Sequence, residues 1–372
     1  MTSGSTTPVT TSAETRAANV ISVDAMGGDQ GPAAVVAGLA LSAGALPGVS
    51  FLLHGDEAQL APLLAGYPEL TGRVSLRHAA RVVTMQDKPS QVMRHGEGTS
   101  MWSTIDSVRN GEAGAAVSCG NTGALMAVAM IRLRKLPGVN RPAIACYWPS
   151  RNPSEFNVML DVGADIKADA DDLLQYALMG ASYARNSLQL KRPRVGLLNV
   201  GTEEHKGSAE LKLAQDKIAA AADVGDYEYV GFVEGVDLPS DRVDVIVCDG
   251  FTGNVALKTA EGTARLISDF MREAFNATWM SKLAALMALR ALDRLRRRMD
   301  PRRVNGGVFL GLNGTVVKSH GSSDAMGVAA GITLAGQLAQ SGFRDRLAAR
   351  VASAQTSGQS APGSGEGQEL PE

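Results

Sequence analysis

The sequence has few cysteines, no excess of charge of either sign and no long apolar run. The three cysteines lie far apart without a CxxC pair, which excludes a disulfide framework and a zinc ribbon. Lysine and arginine number 36 against 38 acidic residues, too balanced for a general nucleic-acid coat. No run of about eighteen apolar residues occurs, so no membrane-spanning helix is predicted. We expect a cytoplasmic protein in a reducing compartment without a nucleic-acid partner.

Several familiar site patterns are also missing. The chain has no GxGxxG dinucleotide fingerprint, no GxSxG nucleophile elbow and no Walker spacing. It shows no cluster of metal-ligating residues, so the sequence predicts neither a cofactor nor a metal site. Cys119 lies in a loop that fits an anion, but without a histidine in a partner motif it is more typical of a small buried residue than of a thiolate nucleophile.

A large apolar fraction, 45% against 20% charged residues, predicts a sizeable buried core. Residues 1–18 lack the apolar region of a signal peptide and predict a disordered leader. Residues 354–372 are rich in glycine, serine, proline and glutamate and predict a disordered tail. The catalytic domain is therefore expected at 19–353, as one α/β unit.

Short apolar runs alternate with longer helical patterns. Nearly continuous apolar segments predict strands buried on both faces at 20–25, 51–54, 115–118, 157–162, 194–200 and 243–249. Beyond Asp169, an acidic first turn precedes Leu174 and Leu178 at helical spacing. The alternation predicts a doubly wound, Rossmann-like α/β/α sandwich. In such sheets, ligands bind beyond the carboxyl ends of the strands.

Three predicted strands lead into loops rich in glycine and asparagine: AMGGDQGP, CGNTGALMA and GFTGNVALK. Each loop runs into a predicted helix, whose first N–H groups lack intrahelical acceptors and favour anions. One such loop is most often an ordinary turn, whereas three in one chain favour an anion site. The candidates are Asp24, Gly27, Gly28, Gly120, Asn121, Thr122, Gly123, Gly253 and Asn254.

Two further segments bring polar groups to comparable positions. Lys206 precedes a helix expected to begin near Ser208, and its ammonium suits a phosphate oxygen or a solvated surface equally well. The segment LNGTVVKSHGSSDA lies between a strand and a long helix, with Asp324 as the expected N-cap. Its polar groups predict a site rather than a core, and the candidates are Lys318, Ser319, His320 and Ser322.

A basic segment at about 272–303 stands apart. It holds nine basic residues against three acidic ones, and Trp279, Leu283 and Met287 share one helical face. Its basic residues include Arg290, Arg294, Arg296, Arg297 and Arg298. A solvated helix covering its own core, contact with an anionic membrane, docking of an acidic carrier protein and contact with a second subunit all fit this basic arm.

Taken together, the motifs resemble one family. DAMGGDQGP, MQDKPSQVMR, SCGNTGALMA, LDVGA, NVGTEEHKG, CDGFTGNVALK and LNGTVVKSHGSSDA are similar, in order and along essentially the whole folded part, to the fatty acyl-acyl carrier protein phosphate acyltransferases of the PlsX type. The resemblance implies transfer of a long acyl chain from the acyl carrier protein thioester to inorganic phosphate. It also implies a homodimer and a fold related to phosphotransacetylases and isopropylmalate dehydrogenases.

The acyl phosphate formed would serve phospholipid synthesis. This implies peripheral contact with the inner face of the cell membrane and a membrane glycerol-3-phosphate acyltransferase as a partner. Two residues depart from the family pattern: Cys119 where alanine is expected, and Asp165 where asparagine is expected.

The implied reaction agrees with the loop inventory. Phosphate is already nucleophilic and a thiolate leaves readily, so the protein needs anion binding and oxyanion donors rather than a metal or a covalent intermediate. Lys206, His320 and Asn254 are the candidate catalytic residues, and the other loop candidates are expected to bind substrate. Three alternatives stay open: a phosphotransacetylase acting on acyl-CoA, an NAD-dependent decarboxylating dehydrogenase, and a lipid-binding scaffold without catalysis.

Overall fold

The computed structural model describes residues 17–203, 205–299 and 306–359, with side chains for 17–203, 205–292 and 306–353. Most of the predicted leader and tail lies outside these residues. The strands are β1 Val20–Asp24, β2 Ser50–Gly55, β3 Val74–His78, β4 Ala115–Ser118, β5 Ala143–Pro149, β6 Phe156–Leu160, β7 Arg194–Leu198, β8 Glu228–Val233, β9 Val245–Val247, β10 Gly307–Leu310 and β11 Thr315–Lys318.

Helices fill most of the intervals between the strands. They are α1 Gly31–Ala45, α2 Glu57–Ala65, α3 Pro89–His95, α4 Ser100–Arg109, α5 Thr122–Leu133, α6 Ala170–Ser187, α7 Ala209–Ala220, α8 Ala222–Gly225, α9 Gly250–Asn276, α10 Trp279–Met299, α11 Ala325–Gln340 and α12 Phe343–Gln359. All six predicted strands are confirmed, with ends that differ by up to two residues.

The strands form one mixed sheet in the order β3-β2-β1-β4-β11-β10-β5-β6-β9-β7-β8. The first half, from β3 to β11, is parallel, and so is the second half, from β6 to β8. Between the halves, β10 and β5 pair antiparallel with their neighbours. The predicted α/β sandwich is confirmed, and its two halves are each of the parallel type that buries both faces.

Successive side chains of the central strands enter different cores. Ala115 and Val117 of β4 pack with helices α1, α6 and α11 on one face. Ala116 packs on the other face with α4 and α5 and against part of α9. The period of two along each strand therefore produces the three layers.

Several helices begin where a short polar side chain caps the first turn. Asn121, Ser208, Asp249 and Asp324 each accept a hydrogen bond from a backbone N–H two or three residues further on. Asp169 forms a full capping box at the start of α6. The helix starts predicted near Asp169, Ser208 and Asp324 are confirmed, because these side chains replace the intrahelical acceptors that the first N–H groups lack.

Helices α9 and α10 contain most of the predicted basic arm. Trp279 is 75% exposed and Met287 is 83% exposed. The apolar face of α10 therefore covers no core of its own chain in the described structure. The side chains of Arg294, Arg296, Arg297 and Arg298 lie outside the described residues. In the described ranges, no helix is both long and apolar enough to cross a bilayer.

Candidate functional site

The carboxyl ends of β1, β4 and β11 lie abreast at one edge of the first half of the sheet. Asp24 is in register with Ser118, and Ser118 is in register with Lys318. The loops that follow these strands are the predicted Gly27–Gly28 loop, the Gly120–Gly123 loop and the Lys318–Ser322 segment. The structure therefore brings eleven of the fourteen predicted site residues into one cluster, which we call the first-half cluster: Asp24, Gly27, Gly28, Gly120, Asn121, Thr122, Gly123, Lys318, Ser319, His320 and Ser322.

A buried hydrogen-bond chain joins two of these loops. The Ser118 hydroxyl donates to Asp24 Oδ2 at 2.7 Å, and the Gly120 N–H donates to Ser118 Oγ at 3.0 Å. Asp24 is 1% exposed, and burial raises the pKa of its carboxyl group even though these hydrogen bonds oppose the shift. The Gly120 amide thus sets the shape of the loop. Sequence reasoning missed Ser118, whose only signal was a lone hydroxyl at the end of the apolar run AAVS.

Lys318 places a cationic side chain under the same loops. Its side chain is 8% exposed, and Nζ donates to the carbonyl oxygens of Cys119, at 3.4 Å, and of Ser319. Burial lowers the pKa of the ammonium group to about 8, while the nearby Asp24 and Asp29 carboxylates favour its charged form. At neutral pH, the cluster therefore holds a buried positive charge.

The loops approach so closely that only glycine fits at two positions. A Cβ atom on Gly27 would lie 2.7 Å from the backbone nitrogen of Gly120. Gly28 has a φ of +97°, and a Cβ there would lie 2.9 Å from Cβ of Cys119. The loop after β1 also contacts the segment after β11, because the Asp29 N–H donates to the Gly321 carbonyl at 2.7 Å.

The first turn of α5 forms one wall of the cluster. The Asn121 side chain accepts from the Ala124 N–H at 3.1 Å and donates to the carbonyls of Met85 and Asp87, each at 3.0 Å. Asn121 therefore fixes the wall, while Thr122 and Gly123 are exposed beside it. N–H groups in the first turn of a helix have no intrahelical acceptor, so this wall suits an anion.

The His320 side chain lies at the exposed rim. Its Nδ1 accepts from the Ser322 N–H at 3.2 Å and lies 2.9 Å from Ser322 Oγ. Partial burial and the positive charge of Lys258 lower the pKa of His320, against an opposing effect of Glu261. Both residues belong to α9, so this helix brings charged groups to the His320 rim.

A second-half cluster forms where β6 and β9 end. The Asp161 carboxylate accepts from the backbone N–H groups of Ile144, Gly163, Ala164 and Asp165 at 2.7–3.2 Å. Asp161 is fully buried, and desolvation raises the pKa of its carboxyl group against the effect of these bonds. Sequence reasoning left this role of Asp161 in the motif LDVGA unassigned.

The start of α9 packs tightly on this second-half cluster. A Cβ atom on Gly253 would lie 1.8 Å from the Asp161 carbonyl oxygen, and one on Gly163 would lie 3.7 Å from Cβ of Asn254. The structure therefore places the predicted Gly253 and Asn254 here, with Asn254 exposed. Gly253 allows the close approach of two backbones, and its role in substrate binding stays a prediction.

Lys206 lies in the loop after β7, where its ammonium group forms an ion pair with Glu203 at 2.9 Å. This hydrogen bond to Glu203 raises the pKa of Lys206. The Asn199 amide donates to the Lys206 carbonyl at 3.3 Å and holds the loop. These contacts lie within one loop, so the catalytic role of Lys206 stays a prediction.

The two residues that depart from the family pattern, Asp165 and Cys119, are both buried. Asp165 is 7% exposed and forms an ion pair with the largely exposed Arg141 at 2.8 Å. Burial raises the pKa of the Cys119 thiol to about 11, which keeps it protonated and unsuited to nucleophilic attack. In the described ranges, no group of three or more histidine, cysteine or acidic side chains is placed to hold a metal ion.

Comparisons with known proteins agree with this architecture. The model of a family described as fatty acid synthesis protein matches residues 19–346. The chain is 76% identical over 343 residues to the phosphate acyltransferase of Cereibacter sphaeroides, covering 92% of this chain and 93% of that protein. It is 72% identical over 333 residues to the phosphate acyltransferase of Paracoccus denitrificans, covering 90% of each.

Solved structures with a similar fold include two phosphotransacetylases. The one from Streptococcus pyogenes has a TM-score of 0.57 at 16% identity, covering 86% of this chain and 93% of that chain. EutD from Staphylococcus aureus has a TM-score of 0.56 at 14% identity, covering 86% and 94%. These likenesses confirm the predicted relation in fold to phosphotransacetylases. The family match and the high identity to named enzymes together show that the chain belongs to the fatty acid synthesis protein family of PlsX-type phosphate acyltransferases.

Proposed function

We propose that the acyl donor of this acyltransferase is the thioester of an acyl carrier protein, and that its product is a long-chain acyl phosphate. The observation that carries transfer to phosphate is the buried Lys318 ammonium group under three loops that lead into helices. This arrangement supplies charge for a phosphate, and the protonated Cys119 thiol offers no competing nucleophile. The acyl carrier protein as donor is what the resemblance of the motifs implies.

The proposed reaction is HPO₄²⁻ + RC(O)SR′ → RC(O)OPO₃²⁻ + HSR′. A phosphate oxygen attacks the carbonyl carbon, a C–O bond forms and the C–S bond breaks. The electron pair of that bond leaves with sulfur, which takes the proton that hydrogen phosphate loses. Positioning and electrostatic stabilisation are therefore the tasks left to the protein.

Within this scheme, Lys318 and the first-turn amides at Thr122 and Gly123 bind phosphate. His320, at the exposed rim, donates to an oxygen of the substrates. Asn254 and Lys206, in the segments that follow β9 and β7, are further proposed donors for phosphate or the thioester oxyanion. Gly27 and Gly28 allow the close approach of backbone, and Ser319 and Ser322 shape the His320 turn. Asp24 holds the loops through Ser118.

The test is mass-spectrometric detection of acyl phosphate after incubation of the purified chain with palmitoyl-acyl carrier protein and phosphate. We expect product in the presence of a chelator and product formation at least about ten-fold slower with Lys318→Met. Equal or faster turnover of palmitoyl-CoA would favour a phosphotransacetylase acting on acyl-CoA. Nicotinamide reduction with a hydroxy acid would favour the dehydrogenase, and absence of any turnover would favour the lipid-binding scaffold.

We also propose that the protein is a cytoplasmic homodimer whose basic arm rests on anionic membrane, where a glycerol-3-phosphate acyltransferase consumes the product. Support comes from the exposure of Trp279 and Met287, side chains able to enter a lipid interface beside arginines.

The double variant Trp279→Ser, Met287→Ser should no longer sediment with phosphatidylglycerol vesicles. A higher KM for the carrier protein with vesicle binding retained would assign the face to carrier docking. Dissociation of the dimer would assign it to the subunit interface.

A further inference from the structure

The hydrogen bonds of the His320 turn determine which ring nitrogen carries the proton. The Ser322 backbone N–H lies 3.2 Å from Nδ1 of His320, and a backbone amide can only donate. Nδ1 is therefore the acceptor. A neutral imidazole has one N–H, so the proton is on Nε2. The Ser322 hydroxyl, 2.9 Å from the same Nδ1, can then donate to it as well.

The backbone around the ring is held on three sides. The Ser323 N–H donates to the His320 carbonyl at 3.0 Å, and the Asp29 N–H donates to the Gly321 carbonyl at 2.7 Å. A Cβ atom on Gly321 would lie 2.4 Å from Cε of Met85, so the turn is packed against a side chain there. The Ser322 N–H is therefore kept pointing at the ring.

Protonation of His320 would put two donors face to face, because Nδ1–H would meet the Ser322 N–H. Partial burial and the positive charges of Lys258 and Lys318 also disfavour the imidazolium form, while Glu261 and Asp29 favour it. The local geometry and the balance of these charges both favour a neutral ring.

We infer that Ser322 is a positioning residue that holds His320 neutral with its proton on Nε2, so that His320 donates a hydrogen bond to a substrate oxygen instead of acting as a base. The catalytic part rests on the proposed acyl transfer, in which hydrogen phosphate needs no base. A neutral donor stabilises negative charge developing on oxygen without losing its proton. The tautomer is a property of the protein without substrate and can be measured even if the proposed reaction is wrong.

The first test is long-range ¹H–¹⁵N NMR of the full chain with ¹⁵N-labelled histidine. The His320 signals are assigned by their loss in His320→Gln. We expect the pattern of an Nε2–H tautomer at pH 7.5 in the parent protein and in Ser322→Ala, which keeps the backbone N–H. In Ser322→Pro, which removes that N–H, we expect a larger imidazolium or Nδ1–H fraction, with His95 signals unchanged as a control. An Nδ1–H pattern or an imidazolium in the parent protein would overturn the inference, as would an unaltered His320 tautomer balance in Ser322→Pro.

The second test compares two amides that place an N–H differently. Glutamine reaches the position of Nε2, whereas asparagine reaches that of Nδ1. We expect His320→Gln to retain at least ten-fold more kcat/KM than His320→Asn, with no new dependence on pH between 6 and 8. Equal losses in the two variants, with both folded by circular dichroism, would contradict the role of the Nε2–H donor.

Discussion

The two halves of the sheet end in loops that satisfy buried charge to different degrees. In the second half, the Asp161 carboxylate accepts hydrogen bonds from the amides of four residues that surround it. In the first half, the Lys318 ammonium group donates to two carbonyl oxygens of neighbouring loop residues. The hydrogen bonds of the Asp161 carboxylate are thus made within the protein, and its role is structural. In the described residues, the Lys318 ammonium group donates to carbonyl oxygens and has no direct ion pair with a carboxylate. It is therefore able to pair with a bound anion.

Asp161→Ala should give the largest loss of stability, because it leaves four backbone amides, two of them buried, without their acceptor. We expect the free energy of unfolding to fall by about 3 kcal/mol or more. Urea unfolding followed by circular dichroism measures it. The control is Asp56→Ala, which removes an exposed helix cap on α2. Similar losses in the two variants would show that the hydrogen bonds of Asp161 stabilise the protein no more than an exposed helix cap does.

Lys318→Met should act in the opposite manner, on activity rather than on stability. We expect kcat/KM to fall by roughly ten-fold to more than a hundred-fold, the value of a charge-assisted contact. Stability should stay equal or rise at pH 7, since a buried ammonium group costs desolvation free energy. The activity of the parent protein should fall as the pH rises through about 8, where Lys318 loses its charge. Unchanged kinetics with lower stability would make Lys318 a structural residue.

His54 is a third buried titratable group, and it lies in the first half of the sheet. Unlike Lys318, it is neutral at pH 7, because burial lowers its pKa. Its ring contacts Ser22 Oγ at 2.9 Å and Ser103 Oγ at 2.8 Å, and burial lowers its pKa to about 3. The unfolded chain takes up this proton near pH 6.5, and the folded chain does not until about pH 3. Stability is therefore fully present above pH 6.5 and falls below it, by at most about 1.4 kcal/mol per pH unit.

Urea unfolding between pH 7 and 5 tests this slope. We expect part of the slope to disappear in His54→Gln, which cannot take up a proton. An identical slope in the variant would assign the acid sensitivity to other groups.

Lys206→Ala should have the smallest effect, because the ammonium group is exposed and already paired with Glu203. We expect a roughly ten-fold lower kcat/KM, and only partial recovery in Lys206→Arg because the guanidinium has a different donor geometry. Glu203→Gln is the matched control, since it breaks the pair and keeps the cation. If Lys206→Ala keeps the kinetics of the parent protein, Lys206 is a surface residue without a catalytic role. His320 would then remain the main candidate for a hydrogen-bond donor to substrate.

Much of the first-half cluster could be predicted because its signals are local. In the loops after β4 and β11, a strand end, a glycine and a helix cap follow one another within ten residues. Parallel strands place such loops at one edge, which the register of Asp24, Ser118 and Lys318 confirms. The chemical state of these groups could not be predicted, because the burial of Lys318 and the packing of the His320 turn depend on loops distant in sequence.

The strand order could not be predicted for a similar reason. Apolar periodicity indicates that a strand exists, but it does not indicate its partner. The hairpin of β10 and β11 inserts between β4 and β5, and the antiparallel centre results from it. The edge strands β3 and β8 were missed because their residues are largely half-buried or exposed and lack the continuous apolar run of a central strand.

The insertion of β11 beside β4 also fixes when the site can be completed during synthesis. β4 ends at Ser118, but its partner begins at Thr315, roughly 200 residues later. At about 5–20 residues per second, the ribosome needs about 10–40 seconds to supply that partner. Until then, one edge of β4 has no partner strand, and unpaired edges favour wrong association. The order of translation therefore leaves the loops of the first-half cluster incomplete until the last part of the chain has been made.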